Sequence, residues 1–451
     1  MFIKIKPVVG IICILMQLLT LFSCRIKEDN GLTELQKQLV QELNQWLIPL
    51  GPSPLNLTDS ELSFLDLLRD SKVVALGEAT HGTREFFQMK HRIFQYLVEY
   101  CQHKAFGFEA DFGESIYLNN YVTKGEGNLE DIMKSKMHFW TWRTEEVKQL
   151  LEWMKNYNTG KSEEEKIHYY GFDCQFTNLQ PDLIHEYLLR TFPGLWETAS
   201  AVLEQVKNLS TTDYQNMSEA TYNDIKTQLE SFDNQLIANK NLLISNSSSR
   251  EYEINKQLLN TFMQAFAMRY YYYGKEDYST NWRDLFMAKN ALWIADFFGQ
   301  DTKITLWAHN GHIARDPSYG DGSMGYHLNE ELNDLYQPVG FAFSRGGFTS
   351  VGSDQDGNYT GLVTHWIMSK PKSDSINFLF HHASHPNFVF HLDAILPGSQ
   401  WNQWLADSRP FLMIGAVFFG LPGVYYRTTN IPEHYSWFIY FDTTHASVML
   451  N

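Results

Sequence analysis

The sequence predicts an α/β fold, with a mixed, mostly parallel central sheet flanked by helices and interrupted by a helical insertion. Two patterns predict it. Short apolar segments that suit buried strands alternate with longer amphipathic segments that suit helices. Between about residues 181 and 298 this alternation stops, and a polar stretch rich in Asn, Gln and Glu with helical periodicity takes its place.

The N-terminal segment indicates export. Lys4 and Lys6 precede a largely apolar run over residues 8–22, which has the length of a signal-peptide core. The run ends in Leu21-Phe22-Ser23-Cys24, which is similar to a bacterial lipobox. We therefore expect residues 1–23 to be a signal peptide and Cys24 to carry lipid, which would make the chain a membrane-anchored lipoprotein of the bacterial cell envelope. An ordinary secretory signal and an uncleaved signal anchor are the alternatives.

The remaining chain divides into a tether with an N-terminal helix over residues 24–60 and one α/β domain over residues 61–451, which includes the insertion. Apolar spacing predicts the N-terminal helix at 32–50, and the capping box of Thr58 and Glu61 predicts another helix up to about Arg69. Further helices are predicted at 83–100 and 113–122. The predicted strands are 72–76, 104–108, 167–172, 303–308, 339–343, 387–392, 412–418 and 437–441.

Composition narrows the classes of function. The formal net charge of −16 argues against nucleic acid as a partner, because phosphate binding needs an excess of Lys and Arg. Aromatic residues make up 15% of the chain, which fits either a heavily packed core or a cleft for a bulky apolar ligand. Outside the signal peptide and Cys24, only Cys101 and Cys174 remain, and two distant cysteines form neither a disulfide framework nor a zinc pattern.

Ionisable residues follow four of the predicted strands at the point where each strand ends. The carboxyl ends of parallel strands meet at one edge of a sheet, which is where open α/β sheets bind their ligands. The residues concerned are Glu78 and His81, Glu109 and Asp111, Asp173, and His309 with His312. If the four strands are parallel neighbours, these side chains converge on a single site.

Each of these residues also has a structural interpretation. Glu78 and His81 lie in a turn bracketed by Gly77 and Gly82 and could be helix caps, although the glycines also suit close approach of a ligand. An Asp that follows a strand, such as Asp173, often caps the next helix. Glu109 could be a hydrogen-bonded buried carboxylate, and His309 and His312 could be hydrogen-bonded core histidines.

The set suffices for hydrolysis of an ester by activated water. A histidine can take a proton from water near neutral pH, and a neighbouring carboxylate fixes its tautomer. Two further histidines can donate to an oxyanion. A divalent metal such as Zn²⁺, held by Glu78, His81, His309 and His312, is the rival interpretation. Covalent catalysis has weaker support, since no Gly-x-Ser-x-Gly elbow occurs and only Ser115 and Ser344 are candidate nucleophiles.

Several ordered motifs together resemble the erythromycin esterase family. The resemblance runs from about Glu61 to the C-terminus, and the combination of motifs is highly specific. The motifs are Gly77-Glu78-Ala79-Thr80-His81-Gly82-Thr83-Arg84-Glu85-Phe86, Gly107-Phe108-Glu109-Ala110-Asp111, Gly171-Phe172-Asp173, Asn281-Trp282-Arg283-Asp284, Trp307-Ala308-His309-Asn310-Gly311-His312 and Met324-Gly325.

The resemblance implies a helical lobe over a cleft and hydrolysis of the lactone ester of macrolide antibiotics, which would confer resistance. It also implies a mechanism without metal or other cofactor, in which His81 activates water and Glu78 positions it, while three further residues complete the site. These three are Glu109, His309 and His312.

The same resemblance implies further contacts with a bulky apolar ester or lactone. The family carries a basic residue, typically Arg, nine positions after the catalytic histidine, and that position is Lys90 here. Lys keeps the charge but loses the planar fork of Arg, and Arg84 is the alternative. The substrate-binding residues expected are Arg84, Lys90, Asp111, Asp173 and Arg283. A metal-dependent hydrolase and a non-catalytic ligand-binding envelope lipoprotein stay open as alternatives, as does the oligomeric state.

Overall fold

A computed structural model describes residues 31–277, 281–354 and 358–450 of the chain. The predicted signal peptide, the lipidation site at Cys24 and most of the tether therefore lie outside the described residues. None of the helices within the described ranges combines the length and the apolar character that crossing a bilayer requires.

The centre of the fold is a sheet, as the alternating pattern predicts, and within the described residues it has ten strands. Along its main path the strands are ordered β1-β8-β12-β6-β2-β5-β3-β4, while β7 and β10 also pair with β6. The twelve strands of the described residues are β1 (Ile48–Pro49), β2 (Val73–Leu76), β3 (His103–Asp111), β4 (His168–Asp173), β5 (Lys303–Trp307), β6 (Tyr336–Ser353), β7 (Tyr359–Ile367), β8 (Asn387–His391), β9 (Arg409–Leu412), β10 (Val417–Phe418), β11 (Tyr426–Thr429) and β12 (Trp437–Thr444).

The six strands from β12 to β4 are parallel to one another, and antiparallel pairing is confined to β1 with β8, β8 with β12, and β6 with β7 within this sheet. Every residue of β2 and β4 is buried, because helices cover both faces of the sheet. The mixed, mostly parallel sheet is thus confirmed. β9 and β11 form a separate two-stranded sheet.

Helices cover both faces of the sheet and form the insertion. The helices that flank the sheet are α1 (Glu34–Trp46), α2 (Arg84–Cys101), α3 (Phe112–Lys124), α4 (Leu129–Lys136) and α5 (Glu145–Asn158). The insertion contains α6 (Gln180–Thr191), α7 (Pro193–Lys207), α8 (Thr211–Gln215), α9 (Glu219–Ala238), α10 (Lys240–Ser245), α11 (Ser249–Arg269) and α12 (Trp282–Phe297). The later helices are α13 (Asn310–Ile313), α14 (Met324–Leu332), α15 (Ile376–His381), α16 (Gln400–Trp404) and α17 (Ile431–His434).

The insertion is anchored to the sheet by a buried polar contact. Asn290 of α12 donates to the carbonyl of Phe172 in β4 and exchanges hydrogen bonds with Gln264 of α11, which joins two helices of the insertion to a strand. Between α11 and α12 the chain forms a single π-helical turn, Tyr270–Gly274. Such turns occur frequently at functional sites. Residues of this turn border the larger of the two cavities described below.

Several predicted elements differ from the structure. The segment after Thr58 forms a 3₁₀ helix, Ser63–Leu68, although Thr58 and Glu61 do make the predicted reciprocal bonds. The single strand predicted at 412–418 is divided between β9 and β10. Strand β6 is far longer than predicted, because its second half pairs with β7, a strand whose exposed side chains give no alternating pattern.

Candidate active site

The four predicted strand endings do meet. β2, β5, β3 and β4 are consecutive parallel neighbours in the sheet, so their carboxyl ends lie side by side. The turn after β2 packs tightly on its neighbours: a Cβ on Gly77 would lie 2.1 Å from Oδ1 of Asn310, and one on Gly82 would lie 2.1 Å from the carbonyl oxygen of Thr349. Glycine is required here for close approach of the chain to itself, rather than of a ligand as the sequence suggested.

Glu78 fixes the orientation of His81. Nδ1 of His81 lies 2.6 Å from Oε1 of Glu78, and the Glu78 side chain is completely buried. With Nδ1 engaged, the other ring nitrogen, Nε2, is left for the cavity that His81 borders. This is the arrangement in which a carboxylate holds a histidine in the tautomer suited to accept a proton from water.

Lys90 and Trp307 hold the second oxygen of Glu78. Nζ of Lys90 lies 2.6 Å from Oε2 of Glu78, and the indole N–H of Trp307 donates to the same oxygen over 2.7 Å. Burial raises the pKa of Glu78, but the charge of Lys90 and the hydrogen bond with His81 outweigh it and leave the pKa lowered. Glu78 is therefore ionised and immobile.

His309 lies beside His81 and carries an unused donor. The two ring centroids are 5.1 Å apart. Nδ1 of His309 accepts a hydrogen bond from the backbone N–H of Gly311, which places the ring hydrogen on Nε2. Nε2 is buried and has no hydrogen-bond partner among the described residues. Burial, together with the neighbouring His81 and His312, lowers the pKa of His309 to about 3, so the ring is neutral near pH 7.

Arg283 of α12 joins the insertion to the carboxyl ends of β3 and β4. Its guanidinium donates to Oε1 of Glu109 over 2.7 Å and to both oxygens of Asp173. The second oxygen of Glu109 accepts from the backbone N–H of His309. Burial raises the pKa of Glu109, yet His312 and Arg283 together hold it well below its usual value. Glu109 is thus an ionised counter-charge, and together with Asp173 it positions Arg283.

His312 is bound on both sides by carboxylates. Nδ1 lies 2.8 Å from Oδ1 of Asp284 and Nε2 lies 3.3 Å from Oε1 of Glu109. Burial lowers its pKa, but the two carboxylates outweigh burial and raise it well above the usual value. Arg283 also approaches Nε2 to 3.0 Å. The raised pKa leaves His312 protonated near neutral pH, with Asp284 beside one ring nitrogen and Glu109 beside the other.

Two adjoining cavities lie over these residues. The smaller has a volume of about 210 Å³ and is bordered by His81, Glu109, Arg283 and His312 together with Phe139 and Trp142 and four further residues. The larger, of about 750 Å³, shares Gln175, Arg283 and His312 with it and extends beneath the insertion. Its walls are rich in aromatic residues, namely Phe176, Tyr272, Tyr273, Trp282 and Tyr319.

Four of the five predicted substrate contacts have other roles in the structure, and one of them is Asp173, which binds Arg283. Arg84 pairs with Glu146 instead of facing either cavity. Asp111 is a buried cap of α3, where its oxygens accept from Gly113, Phe176 and Gln180. Lys90 is buried behind Glu78. These contacts support structural or positioning roles, whereas Arg283 borders both cavities as expected of a residue near substrate.

Trp307 and Asp284 are further partners of this cluster that the sequence does not predict. Both lie in motifs that carry the family resemblance, yet nothing in their spacing distinguishes an indole that binds Glu78 from one that only fills the core. Ser115 and Ser344, the weak nucleophile candidates, are buried and donate to the carbonyls of Phe112 and Asn377. Within the described residues no group of three or more His, Cys, Asp or Glu side chains is arranged to hold a metal ion.

The family of the chain follows from comparison with known proteins. The family model described as erythromycin esterase matches residues 98–444, well over half of the chain. The chain belongs to the erythromycin esterase family. The matched segment includes Glu109, Arg283, His309 and His312 and begins after the turn that carries His81.

Curated relatives of this family member are named as hydrolases. A protein from Escherichia coli named erythromycin esterase type II is 25% identical over 345 residues, which are 69% of this chain and 78% of the relative. A protein from Bacillus subtilis named as a hydrolase, YbfO, is 24% identical over 377 residues, 75% of this chain and 78% of the relative. Membership of the erythromycin esterase family thus identifies the general class of this protein, an ester-type hydrolase.

Solved structures share the fold of the erythromycin esterase family member. A succinoglycan biosynthesis protein superposes with a TM-score of 0.78 at 24% identity and covers 93% of this chain and 100% of its own. A protein from Bacillus cereus superposes with a TM-score of 0.79 at 21% identity and covers 92% of this chain and 99% of its own. A mutant of the erythromycin esterase EreC in its open conformation superposes with a TM-score of 0.63 at 17% identity. It covers 87% of this chain and 95% of its own. At these identities the likeness concerns the fold alone.

Proposed function

We propose that the protein hydrolyses carboxylic esters by water that His81 activates, without a metal or other cofactor. The observation that carries the proposal is the bond of Nδ1 of His81 to the buried, ionised Glu78, which leaves Nε2 at the smaller cavity. A base held in this way contributes about 10²–10⁴-fold to the rate of such reactions.

In the proposed reaction Nε2 of His81 takes a proton from water, and the water oxygen bonds to the ester carbonyl carbon. The resulting oxyanion accepts a hydrogen bond from the N–H at Nε2 of His309, while the cationic His312 and Arg283 stabilise its charge. Collapse of the intermediate breaks the carbon–oxygen bond of the ester. The leaving alkoxide takes the proton from His81, which yields one acid and one alcohol and restores the neutral base.

The substrate we propose is a bulky, largely apolar ester or lactone, with macrolide lactones as the named candidate class. The larger cavity of about 750 Å³ and its aromatic walls support a substrate of this size. The name of the Escherichia coli relative supports the same class. If macrolides are the substrate, the activity would inactivate the antibiotic.

The proposal is tested by incubating the protein with a series of macrolides, other lactones and a chromogenic ester. Mass spectrometry is expected to show a lactone product heavier by one water. His81→Ala is expected to retain its fold and lose turnover, whereas His385→Ala, which changes an exposed histidine, is expected to leave turnover unchanged. Full turnover in His81→Ala would refute the assignment of the base. Binding without any turnover would favour a ligand-binding protein.

We also propose that lipid on Cys24 anchors the protein in the cell envelope. The support is the apolar run over residues 8–22 and the lipobox-like segment that ends at Cys24. Mass spectrometry of the N-terminal peptide of the exported protein is expected to show a lipid-modified Cys24. A peptide that begins elsewhere, or an unmodified Cys24, would contradict the anchor.

A further inference from the structure

Two segments next to the catalytic cleft expose an unusual amount of apolar surface. Scattered exposed apolar side chains are ordinary on soluble proteins, but a cluster of them indicates a binding surface. Strand β7 with the residues that follow it, and the loop after β10, together hold eight large exposed apolar side chains, which we call the apolar apron. They are Tyr359, Leu362, Val363, Trp366, Met368, Phe419, Leu421 and Val424.

The two segments of the apolar apron are joined through β6. β7 pairs with one edge of β6 and β10 with the other, at the same level, Val351 and Gly352. The ring of Phe418 packs against Phe348 of β6 at 5.2 Å and His365 of β7 at 5.0 Å between centroids. Ala416, immediately before β10, borders the cavity of His81. The apron therefore adjoins the catalytic cleft.

The charge of the apolar apron differs from that of the rest of the chain. The chain carries 52 acidic residues, yet residues 357–373 and 408–432 contain none, while they contain Lys370, Lys372, Arg409 and Arg427. Lys370 and Arg427 are exposed. Exposed apolar side chains bordered by cations suit an anionic lipid surface.

The chain enters the fold beside the apolar apron. At the first turn of α1, the side-chain amide of Gln36 donates to the carbonyl of Ser373 over 2.9 Å, and Ser373 lies only five residues after Met368. The seven residues 25–31 span at most about 25 Å when fully extended. Lipid on Cys24 would thus hold this side of the protein close to the bilayer.

We propose that the apolar apron docks on an anionic lipid surface and sets the mouth of the catalytic cleft against it. The choice of lipid as the occupant rests on the proposed anchor at Cys24, whereas the apron itself is independent of it. In this position the enzyme would take apolar esters that dissolve in the bilayer, because the cleft next to Ala416 opens where such esters concentrate.

The test is hydrogen exchange of the full chain with and without vesicles that contain an anionic phospholipid. Vesicles are expected to slow exchange in peptides from 359–368 and 418–425 and to leave the insertion peptides around Leu189 and Ile237 unchanged. A vesicle-bound chain without slowing in the two apron segments would overturn the proposal, as would failure to bind vesicles. Slowing that needs no vesicles and grows with protein concentration would indicate a second copy instead.

A quadruple variant makes the test sharper. Trp366→Ser, Met368→Ser, Phe419→Ser and Leu421→Ser together are expected to lower hydrolysis of a vesicle-dissolved ester by roughly tenfold or more. Hydrolysis of a water-soluble ester should stay unchanged, so that loss of docking and loss of catalysis are distinguishable. The matched control changes Leu189, Ile237 and Leu242, exposed apolar residues of the insertion, to Ser. Equal effects of both variants would overturn the proposal.

Discussion

Nζ of Lys90 lies 2.6 Å from Oε2 of Glu78, and neither side chain has any solvent exposure. Lys90 also lies over the ring of Trp307, 4.2 Å from its centroid. A buried carboxylate keeps its charge only if a partner compensates it. The orientation of His81 therefore depends on a cation that never touches the cavity.

Replacing Lys90 with Met is expected to destabilise the protein by about 3–5 kcal/mol, because Glu78 would remain buried without its counter-charge. Lys90→Arg keeps the charge and should destabilise the protein far less. Urea unfolding of both variants near pH 7 measures the difference. Equal stability of Lys90→Met and the parent would show that Glu78 does not need Lys90.

The pH dependence of hydrolysis should also reflect the ionisation of Lys90. Burial lowers the pKa of Lys90 to about 8, although the charge of Glu78 opposes this. Above that pH Lys90 loses its proton and no longer compensates Glu78, so the carboxylate that orients His81 is less firmly held and the rate should fall.

In Lys90→Arg the fall near pH 8 should disappear, because Arg keeps its proton throughout this range. Profiles of kcat against pH for the two proteins make the comparison. An identical fall in both would assign the alkaline group elsewhere.

Arg283→Met should weaken the dependence of stability on acid pH. In the native protein burial raises the pKa of Glu109, but His312 and Arg283 hold it well below 4.5. Glu109 therefore contributes stability that is present above its unfolded pKa and is lost as the pH falls through the lowered folded value.

Without Arg283 the folded pKa of Glu109 moves upward toward its unfolded value, so Glu109 contributes less stability at pH 7 and less is lost on acidification. Urea midpoints measured between pH 3 and 7 are expected to decline less steeply in Arg283→Met than in the parent. The variant should also be less stable at pH 7 by about 3–5 kcal/mol, because Asp173 loses its partner too. Arg190→Met, which removes an exposed pairing with Glu251, serves as the control. An unchanged pH dependence would contradict the assigned role of Arg283.

The sequence predicts which residues converge at this edge of the sheet, because parallel strands have a fixed geometry. Once β2, β5, β3 and β4 are neighbours, their endings must converge, and the residues at those endings can be read from the chain. What a residue there does depends on packing. Asp111 and Asp173 both end buried strands, yet Asp111 caps a helix and Asp173 binds Arg283, a residue 110 positions away.

Lys90 and β7 show two further limits of prediction from the sequence. Lys90 lies on α2, and its sequence position suggests a substrate contact, while only the packed helix shows that it points behind Glu78. β7 is solvent-exposed along nearly its whole length, so it lacks the buried periodicity by which strands are recognised. Its pairing with β6 arises from the long continuation of that strand.

Removal of metal ions should leave hydrolysis unchanged. Nδ1 of His81, Nδ1 of His309 and both oxygens of Glu109 are engaged in hydrogen bonds within the chain, so an ion would have to displace partners that already position the site. Exhaustive chelation followed by assay with and without added Zn²⁺ is the measurement. Loss of activity on chelation with recovery on Zn²⁺ would favour the metal-dependent mechanism.

Replacing His309 should reduce kcat with little change in KM. Its N–H at Nε2 has no partner among the described residues, and a donor that is used only when negative charge develops acts on the transition state. His309→Phe is expected to lower kcat by about 10²-fold.

His309 also caps α13, so loss of the ring could act through the helix instead. His309→Ser separates the two roles, because Ser caps a helix well but cannot supply the distant N–H. If both variants lose kcat equally while their unfolding midpoints differ, the donor is responsible. Since the pKa of His309 is lowered to about 3, the acid limb of the rate profile should keep its position in both variants. A displaced limb would mean that His309 itself exchanges the proton.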